Sequence, residues 1–340
     1  MSDRMIAPDQ FGDDKDQERS LRPKSLNDFV GQEKIKENLS IAIEAASHRN
    51  ESLDHALFAG PPGLGKTTLA NIIASEMDSH LHITSGPILD KPSDLAGLLT
   101  SLEEGDVLFI DEIHRLSRTV EEYLYSAMED YRLDIMLESG PTAKSINLPI
   151  QPFTLVGATT RAGMLSAPLR DRFGLQFRLE HYEIKEINQI IHRSADLLEI
   201  KMTDEAADIL CGRCRGTPRI ANRILRRCRD VAQVRGEGFI DKKVAERTLE
   251  MIGIDPYGLD EMDRRILKCI AHQFNGGPVG LGTLGSALDE ESETIEEVYE
   301  PYLIQNGFLK RTSKGRMATT KTFDLLNLKL PHTGWQEELF

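Results

Sequence analysis

The sequence predicts an α/β chain. A parallel sheet flanked by helices carries a phosphate-binding loop, and a helical segment and a small winged-helix domain follow it. Three observations predict this. Residues 60–67 read GPPGLGKT, which fits the pattern G-x-x-x-x-G-K-[ST]. The run DVLFIDEIHRL at 106–116 is an apolar strand ending in two carboxylates. From about residue 181, stretches such as EINQIIHRSADLLEI and DEAADILCGRC space their apolar residues as helices do.

Each element has a local reason. HALFAG at 55–60 is a short apolar strand leading into the loop. The helix after it, TTLANIIASEM at 67–77, places Leu69, Ile72, Ile73 and Met77 on one side. Gly60, Gly63 and Gly65 allow close backbone approach, so successive N–H groups can face phosphates. Lys66 supplies positive charge to the β- and γ-phosphates, and the Thr67 hydroxyl is placed for Mg²⁺. The helix N-terminus adds partial positive charge. Asp111 and Glu112 fall at the carboxyl end of their strand, where open α/β sheets bind ligands. Asp111 is expected in the Mg²⁺ shell, with Glu112 orienting or deprotonating the attacking water. A third strand, FTLVGATT at 153–160, brings Thr159 toward the γ-phosphate or the water. These residues imply a nucleotide hydrolase.

Composition bounds the rest. At 340 residues the chain is too long for one ordinary core and suggests two or three domains. Hydrophobic residues at 40% and charged ones at 28% are ordinary for a globular protein, and no apolar run nears the ~18 residues needed to span a bilayer. The opening MSDRMIAPDQFGDDKDQERS lacks a secretory h-region and reads as a polar tail over 1–20, so a cytoplasmic protein is expected. Cys211, Cys214, Cys228 and Cys269 are too few for a disulfide framework, and the C-x-x-C pair has no second pair to complete a zinc site. A formal charge of −14 confines nucleic-acid contact to a local patch or a pore.

The first domain is expected over 21–180, a helical segment over 181–254, and a third domain over 255–334 after the joint GIDPYGLD. Within the first, RLDIMLESGPTAKSINLPIQP at 132–152 alternates apolar residues on either side of a turn, a hairpin pattern. The third domain reads as helix, turn, helix, and then a hairpin with Gly315 at its tip, the pattern of a winged helix. Its wing is basic: Lys310, Arg311, Lys314 and Arg316 fall in a stretch free of Asp and Glu from Pro301 to Thr320. Arg311 and Arg316 are the expected phosphate contacts. The helix that would ordinarily read bases carries Asp289, Glu290, Glu291, Glu293, Glu296, Glu297 and Glu300, so the wing and not that helix must touch DNA.

GPPGLGKT, DEIH, GATTRAG, APLRDRF at 167–173 and GTPRIANR at 216–223 resemble the AAA+ ATPases. Their order and spacing, with RPKSLNDFVGQEKIKENL at 22–39, MEDYRLDIM at 128–136 and EPYLIQNGFLKRTSKGRMAT at 300–319, are similar to the RuvB family of Holliday-junction branch-migration motors. The resemblance implies an ATP-driven translocase of duplex DNA, working as a homo-hexamer in recombination and repair with the junction-binding protein RuvA and the resolvase RuvC. It implies that Leu21 and Arg22 frame adenine and ribose, that Tyr182 flanks the nucleotide where core meets lid, and that Thr68, Glu129, Asp130 and Tyr131 belong to the ATP site. Arg219 would be a cis arginine on the lid. In LRDRFG, Arg172 rather than Arg170 matches the position that reaches a neighbouring subunit's ATP. Ile146 and Leu148 on the hairpin would contact RuvA. Ser292 departs from the family pattern, which often has a third arginine there. Two other readings compete, a protein-remodelling AAA+ ATPase and a clamp-loader subunit. TSGPILDKPSDLAG at 84–97 lacks the aromatic of a polypeptide-threading pore loop, which counts against the first.

Overall fold

The computed structural model describes residues 20–136 and 145–330, with all their side chains except those of 134–136 and 145–146. Its centre is a five-stranded sheet of order β2-β3-β6-β1-β7, every pairing parallel. The strands are β1 (Ala56–Ala59), β2 (Leu81–Ser85), β3 (Val107–Asp111), β6 (Thr154–Thr159) and β7 (Leu175–Arg178). Central strands β1, β3 and β6 are buried along nearly their whole length, which is why they read as unbroken apolar runs rather than alternating ones. Leu69, Ile72 and Ile73 of helix Lys66–Glu76 are fully buried, as expected. Helix Arg118–Asp130 starts where the Ser117 hydroxyl accepts the Val120 N–H, and it packs Val120, Leu124, Ala127 and Met128 into the cluster of Leu57, Leu108, Leu155 and Phe153. Val120, Leu124 and Met128 each contribute about 1.5–3 kcal/mol by leaving water.

One contact orients the sheet. His55, just before β1, accepts the Leu155 N–H at Nδ1 and so donates from Nε2 to the Met128 carbonyl. The carboxyl-terminal end of helix Arg118–Asp130 therefore lies at the amino-terminal edge of β1. The expected hairpin forms as β4 (Arg132–Met136) and β5 (Ser145–Pro149), with Leu133 opposite Leu148 and Ile135 opposite Ile146.

By compactness the chain divides into two units. The first comprises 1–198 with 217–219, and the second 199–216 with 220–340. Helix Ile184–Leu197 thus groups with the sheet. In the second unit, helices Asp204–Cys211 and Lys242–Met251 pack together beside the short parallel pair β8 (Lys201–Met202) and β9 (Phe239–Ile240). The four cysteines are buried and joined in no disulfide among the described residues; Cys214 Sγ, in the turn after helix Asp204–Cys211, donates to the Cys211 carbonyl. Helices Glu261–Lys268, Leu281–Leu288 and Glu300–Gln305 enclose Ile266, Leu284, Leu303 and Phe308, and β10 (Leu309–Thr312) pairs antiparallel with β11 (Gly315–Ala318). Gly315 is not the tip of this hairpin. Ser313 and Lys314 make the turn, and Gly315 opens β11 at φ +136°, where a Cβ would strike the Val279 carbonyl.

Arg215 fastens this unit internally. Its Nε donates to the Gly258 carbonyl at 2.9 Å, its Nη2 reaches Asp260 at 3.1 Å and Asp263 at 2.6 Å, and its guanidinium lies over the Tyr302 ring. Burial pushes the Asp263 carboxyl up to about 7, against the pull of Arg215 and with Asp260 adding to the rise.

Candidate functional site

The carboxyl ends of β3, β6 and β1 lie side by side, and the loop after β1 meets the carboxylates after β3 there. Gly63 at φ +81° packs against Thr217 and Arg219, where a Cβ would come within 2.9 Å of Thr217 Cγ2 and 3.0 Å of Arg219 Cβ. Gly65 at φ +108° begins the helix against the Phe29 ring. Lys66 is buried and donates from Nζ to the Gly60 and Pro61 carbonyls at 2.7 and 3.0 Å. Burial pushes its pKa down, while Glu112 and Asp111 support its charge. Thr67 and Thr68 open the helix beside it. Burial, followed by the charge of Glu112, holds the Asp111 carboxyl above the usual range. A half-buried carboxylate so raised, beside a lysine and a hydroxyl at a helix N-terminus, suits a divalent cation bound together with phosphates. Among the described residues no three His, Cys, Asp or Glu gather as a self-sufficient metal cage.

Glu112 sits at φ +47°, directly after β3, with its N–H on Asp111 Oδ1. Its Oε2 accepts from the Thr160 N–H at 3.3 Å and the Thr160 hydroxyl at 3.2 Å, and lies 3.2 Å from His114 Nδ1. Burial would raise its pKa, but these hydrogen bonds from His114 and Thr160, with the charges of His114 and Lys66, bring it below the ordinary value. Thr159, expected to face the phosphate, does not. It is fully buried, its hydroxyl 2.9 Å from His114 Nδ1 and accepting the Arg161 N–H at 2.9 Å. The residue at the carboxylate is Thr160. Successive strand residues point to opposite sides, so a shift of one position exchanges an inward for an outward hydroxyl. The sequence reading missed His114 and Thr160, although DEIH and the second Thr of GATT carried the signal.

Around this centre, Leu21 is buried with its carbonyl held by Arg193 at 2.8 Å, and Arg22 is half-buried beside it. The Tyr182 hydroxyl donates to the Leu64 carbonyl at 2.9 Å, tying residue 182 to the phosphate loop. Arg219 donates its backbone N–H to the Gly63 carbonyl, and its charge acts on both Lys66 and Asp111. Lys66, Asp111, Glu112, Tyr182 and Arg219 are therefore one constellation.

Three residues expected at the ATP site stand elsewhere, beside Arg172, the residue expected to act on a neighbouring subunit. Glu129, Asp130 and Tyr131 end the helix that meets β1 at its amino-terminal edge. Their described partners are Arg172, Arg132 and the Phe153 ring. Arg172, shortly before β7, donates to the Pro168 carbonyl, pairs with Glu129 at 3.0 Å, and lies over the Tyr125 ring at 4.6 Å. β1 is four residues long, so ~13 Å of strand separates this edge from the phosphate loop. These four residues do not belong to the ATP site of their own chain.

The wing also departs from expectation. Arg316 is 8% exposed, its Nε 2.8 Å from Glu300 Oε2 and its Nη2 3.3 Å from Glu296. A guanidinium so enclosed by two carboxylates is not available to a phosphate. Arg311, directly opposite it across the hairpin, is exposed and holds Glu296 at 2.9 Å. Lys310 and Lys314 are exposed. On the hairpin of the sheet unit, Leu148 is partly buried, packed against the core cluster and opposite Leu133; the Ile146 side chain lies outside the described residues.

A parallel sheet with a phosphate loop after β1 and an Asp-Glu pair after β3, with only β6 between them, defines a P-loop nucleotide hydrolase. The family model for the Holliday junction DNA helicase RuvB P-loop domain matches residues 21–179, that for the RuvB AAA lid domain 182–255, and that for the RuvB C-terminal winged helix domain 256–327. The chain belongs to the RuvB family. It is 56% identical over 328 residues to the Holliday junction branch migration complex subunit RuvB of Kosmotoga olearia, covering 96% of each chain. It is 60% identical over 308 residues to that of Flavobacterium psychrophilum, covering 91% of each. The solved RuvB Holliday junction branch migration motor of Thermotoga maritima is similar at a TM-score of 0.84 with 53% identity, covering 92% of this chain and all of that one.

Proposed function

We propose that the protein is an ATP-driven DNA translocase of a Holliday-junction branch-migration complex, acting in the cytoplasm in recombination and repair. The observation that carries the reading is the meeting of Lys66, Asp111, Glu112 and Arg219 at one edge of the sheet, in a chain that ends in a winged helix with exposed cations. Thr67 and Asp111 would hold Mg²⁺, which when bound draws charge from the γ-phosphoryl oxygens. Lys66 and the loop amides hold the phosphates, Glu112 orients the water, and Arg219 reports on the γ-phosphate. Leu21, Arg22 and Tyr182 bound the nucleoside. The three-part plan of core, lid and wing at 21–180, 181–254 and 255–334 goes with this reading.

Arg172, with Glu129, Asp130 and Tyr131, acts on the ATP of a neighbouring copy. An arginine at the far edge of the sheet reaches a phosphate only in a ring, and such a finger contributes about 10³–10⁵ in rate. A homo-hexamer around duplex DNA satisfies every interface. On the wing, Arg311, Lys310 and Lys314 make the phosphate contacts. The apolar hairpin at 132–152 is the arm for RuvA, and RuvC joins the same complex.

ATP hydrolysis, measured with and without duplex DNA, tests the reading, followed by migration of a synthetic four-way junction. DNA is expected to accelerate hydrolysis by the wild type; Lys66→Ala is expected to lose ATP affinity, and Glu112→Gln to keep affinity and lose turnover. A rate indifferent to DNA would move the protein-remodelling reading to the front. DNA-stimulated hydrolysis without junction migration would favour a clamp-loader-like ATPase.

A further inference from the structure

We propose that His114 is a positioning residue for hydrolysis, a buried imidazole that fixes the Glu112 carboxylate against the end of β6. The proposal rests on the reading of Glu112 as the water-orienting group. Four observations carry it. His114 stands in the 3₁₀ turn Ile113–Arg115 that directly follows Glu112. Its side chain is 4% exposed, so its polar atoms must be satisfied inside the protein. Its Nδ1 lies 3.2 Å from Glu112 Oε2 and 2.9 Å from Thr159 Oγ1. Finally, the Thr159 hydroxyl is itself anchored by the Arg161 N–H.

The chemistry assigns the proton. An ionised carboxylate oxygen only accepts, so a ring nitrogen packed against it must be the donor, and Nδ1 carries the hydrogen. That N–H lies within hydrogen-bond reach of both Glu112 Oε2 and Thr159 Oγ1. The imidazole thus joins the carboxylate after β3 to the hydroxyl at the end of β6, the strand hydrogen-bonded to it. Thr160 supplies two further donors to the same oxygen. With one oxygen of Glu112 held from β6 and from its own turn, the direction of the carboxylate toward the nucleotide follows the relative position of the two strand ends. Any movement of the β6 end would pass to the water-orienting group through this contact.

The test compares His114→Ala, His114→Asn and His114→Gln in the full-length chain with duplex DNA, measuring ATP affinity and kcat separately. Asn can place an N–H close to the position of Nδ1, whereas Gln places its amide near Nε2. His114→Ala is expected to lower kcat between about ten- and a hundredfold, with ATP affinity within about threefold of wild type. Asn is expected to recover most of the loss and Gln little. Wild-type kcat in His114→Ala, equal recovery by Asn and Gln, or an affinity loss as large as the kcat loss would each overturn the proposal. Should the Ala variant fail to fold, the comparison of Asn with Gln decides alone. Glu112→Gln run alongside separates the two levels. If it is inactive while His114→Ala is not, only the role of His114 falls; if it hydrolyses normally, both readings fall.

Discussion

Replacing Arg316 with alanine is expected to destabilise the winged-helix domain rather than to remove one DNA contact. Arg316 is 8% exposed, and its Nε stands 2.8 Å from Glu300 Oε2. Glu300 is 3% exposed, and its Oε1 has no hydrogen-bond partner among the described residues, with Arg311 Nη1 3.9 Å away. Removing the guanidinium leaves a buried carboxylate with one distant, solvent-screened counter-charge. Breaking such a pair costs about 3–5 kcal/mol, which in a domain of this size lowers the melting temperature by more than about ten degrees. Arg311→Ala should behave differently. Its side chain is 60% exposed and its partner Glu296 keeps Arg316, so the pair is worth about 0–1 kcal/mol. Calorimetry of both variants, with fluorescence anisotropy of a labelled duplex across a salt series, separates the cases. Arg311→Ala should melt near wild type and lose about one from the salt slope. Arg316→Met combined with Glu300→Leu should regain most of the stability that Arg316→Ala loses, because it removes the charge and refills the space. A wild-type melting temperature for Arg316→Ala, with a salt slope reduced by about one, would refute the reasoning and return Arg316 to the phosphate-contact set.

Three other outcomes follow from the same structure. Asp263 has a folded pKa of about 7 against an ordinary 3.8. Between these values the folded unit keeps a proton that the unfolded chain has released, so its contribution is complete below about pH 4 and is lost as pH rises to about 7. Denaturant melts at several pH values should show this fall in the wild type and a flatter profile in Asp263→Asn; equal slopes would remove Asp263 as the cause. Gly63→Ala forces a side chain at φ +81° into Thr217 and Arg219, costing about 1–2 kcal/mol of strain, and should weaken ATP binding severalfold by calorimetric titration. Mixing inactive Arg172→Ala with inactive Lys66→Ala subunits should restore some ATPase activity, because a mixed ring contains intact interfaces. No recovery at any ratio would count against an arginine acting in trans.

The phosphate loop, Asp111 and Glu112 were legible because phosphate and metal chemistry restricts the residue types at fixed spacing. The choice between Thr159 and Thr160 was not. β6 is buried along its whole length, so no polar alternation indicates which hydroxyl faces the site. Arg316 failed for another reason. Counting charges along 301–320 finds a clean basic stretch, but Glu296 and Glu300 lie one helical turn apart on the segment that packs beneath the hairpin, and they meet Arg311 and Arg316 from below. That neutralisation is a tertiary fact. The wing is basic in sequence and only partly so in space.

Glu129 to Tyr131 mark the boundary of motif reading most clearly. The resemblance places them near nucleotide; topology places them away from the phosphate loop of their own chain. His55 bonding to Met128 fixes the end of their helix at the amino-terminal edge of β1, and the Leu175 N–H on the His55 carbonyl fixes the start of β7, with Arg172 shortly before it, at the same edge. The phosphate loop leaves from the opposite edge. A parallel sheet whose strands all run the same way cannot bring these two groups together within one chain. In the proposed ring, the edge carrying Arg172 in one copy would face the phosphate-loop edge of the next. The ion pair between Arg172 and Glu129 then has a consequence for the cycle. On the proposed trans role, Arg172 would first leave Glu129 of its own chain, at an expense of about 0–1 kcal/mol for a partly exposed pair. That is small against the charge of a triphosphate, so the pair with Glu129 would not hinder the proposed engagement with a neighbour.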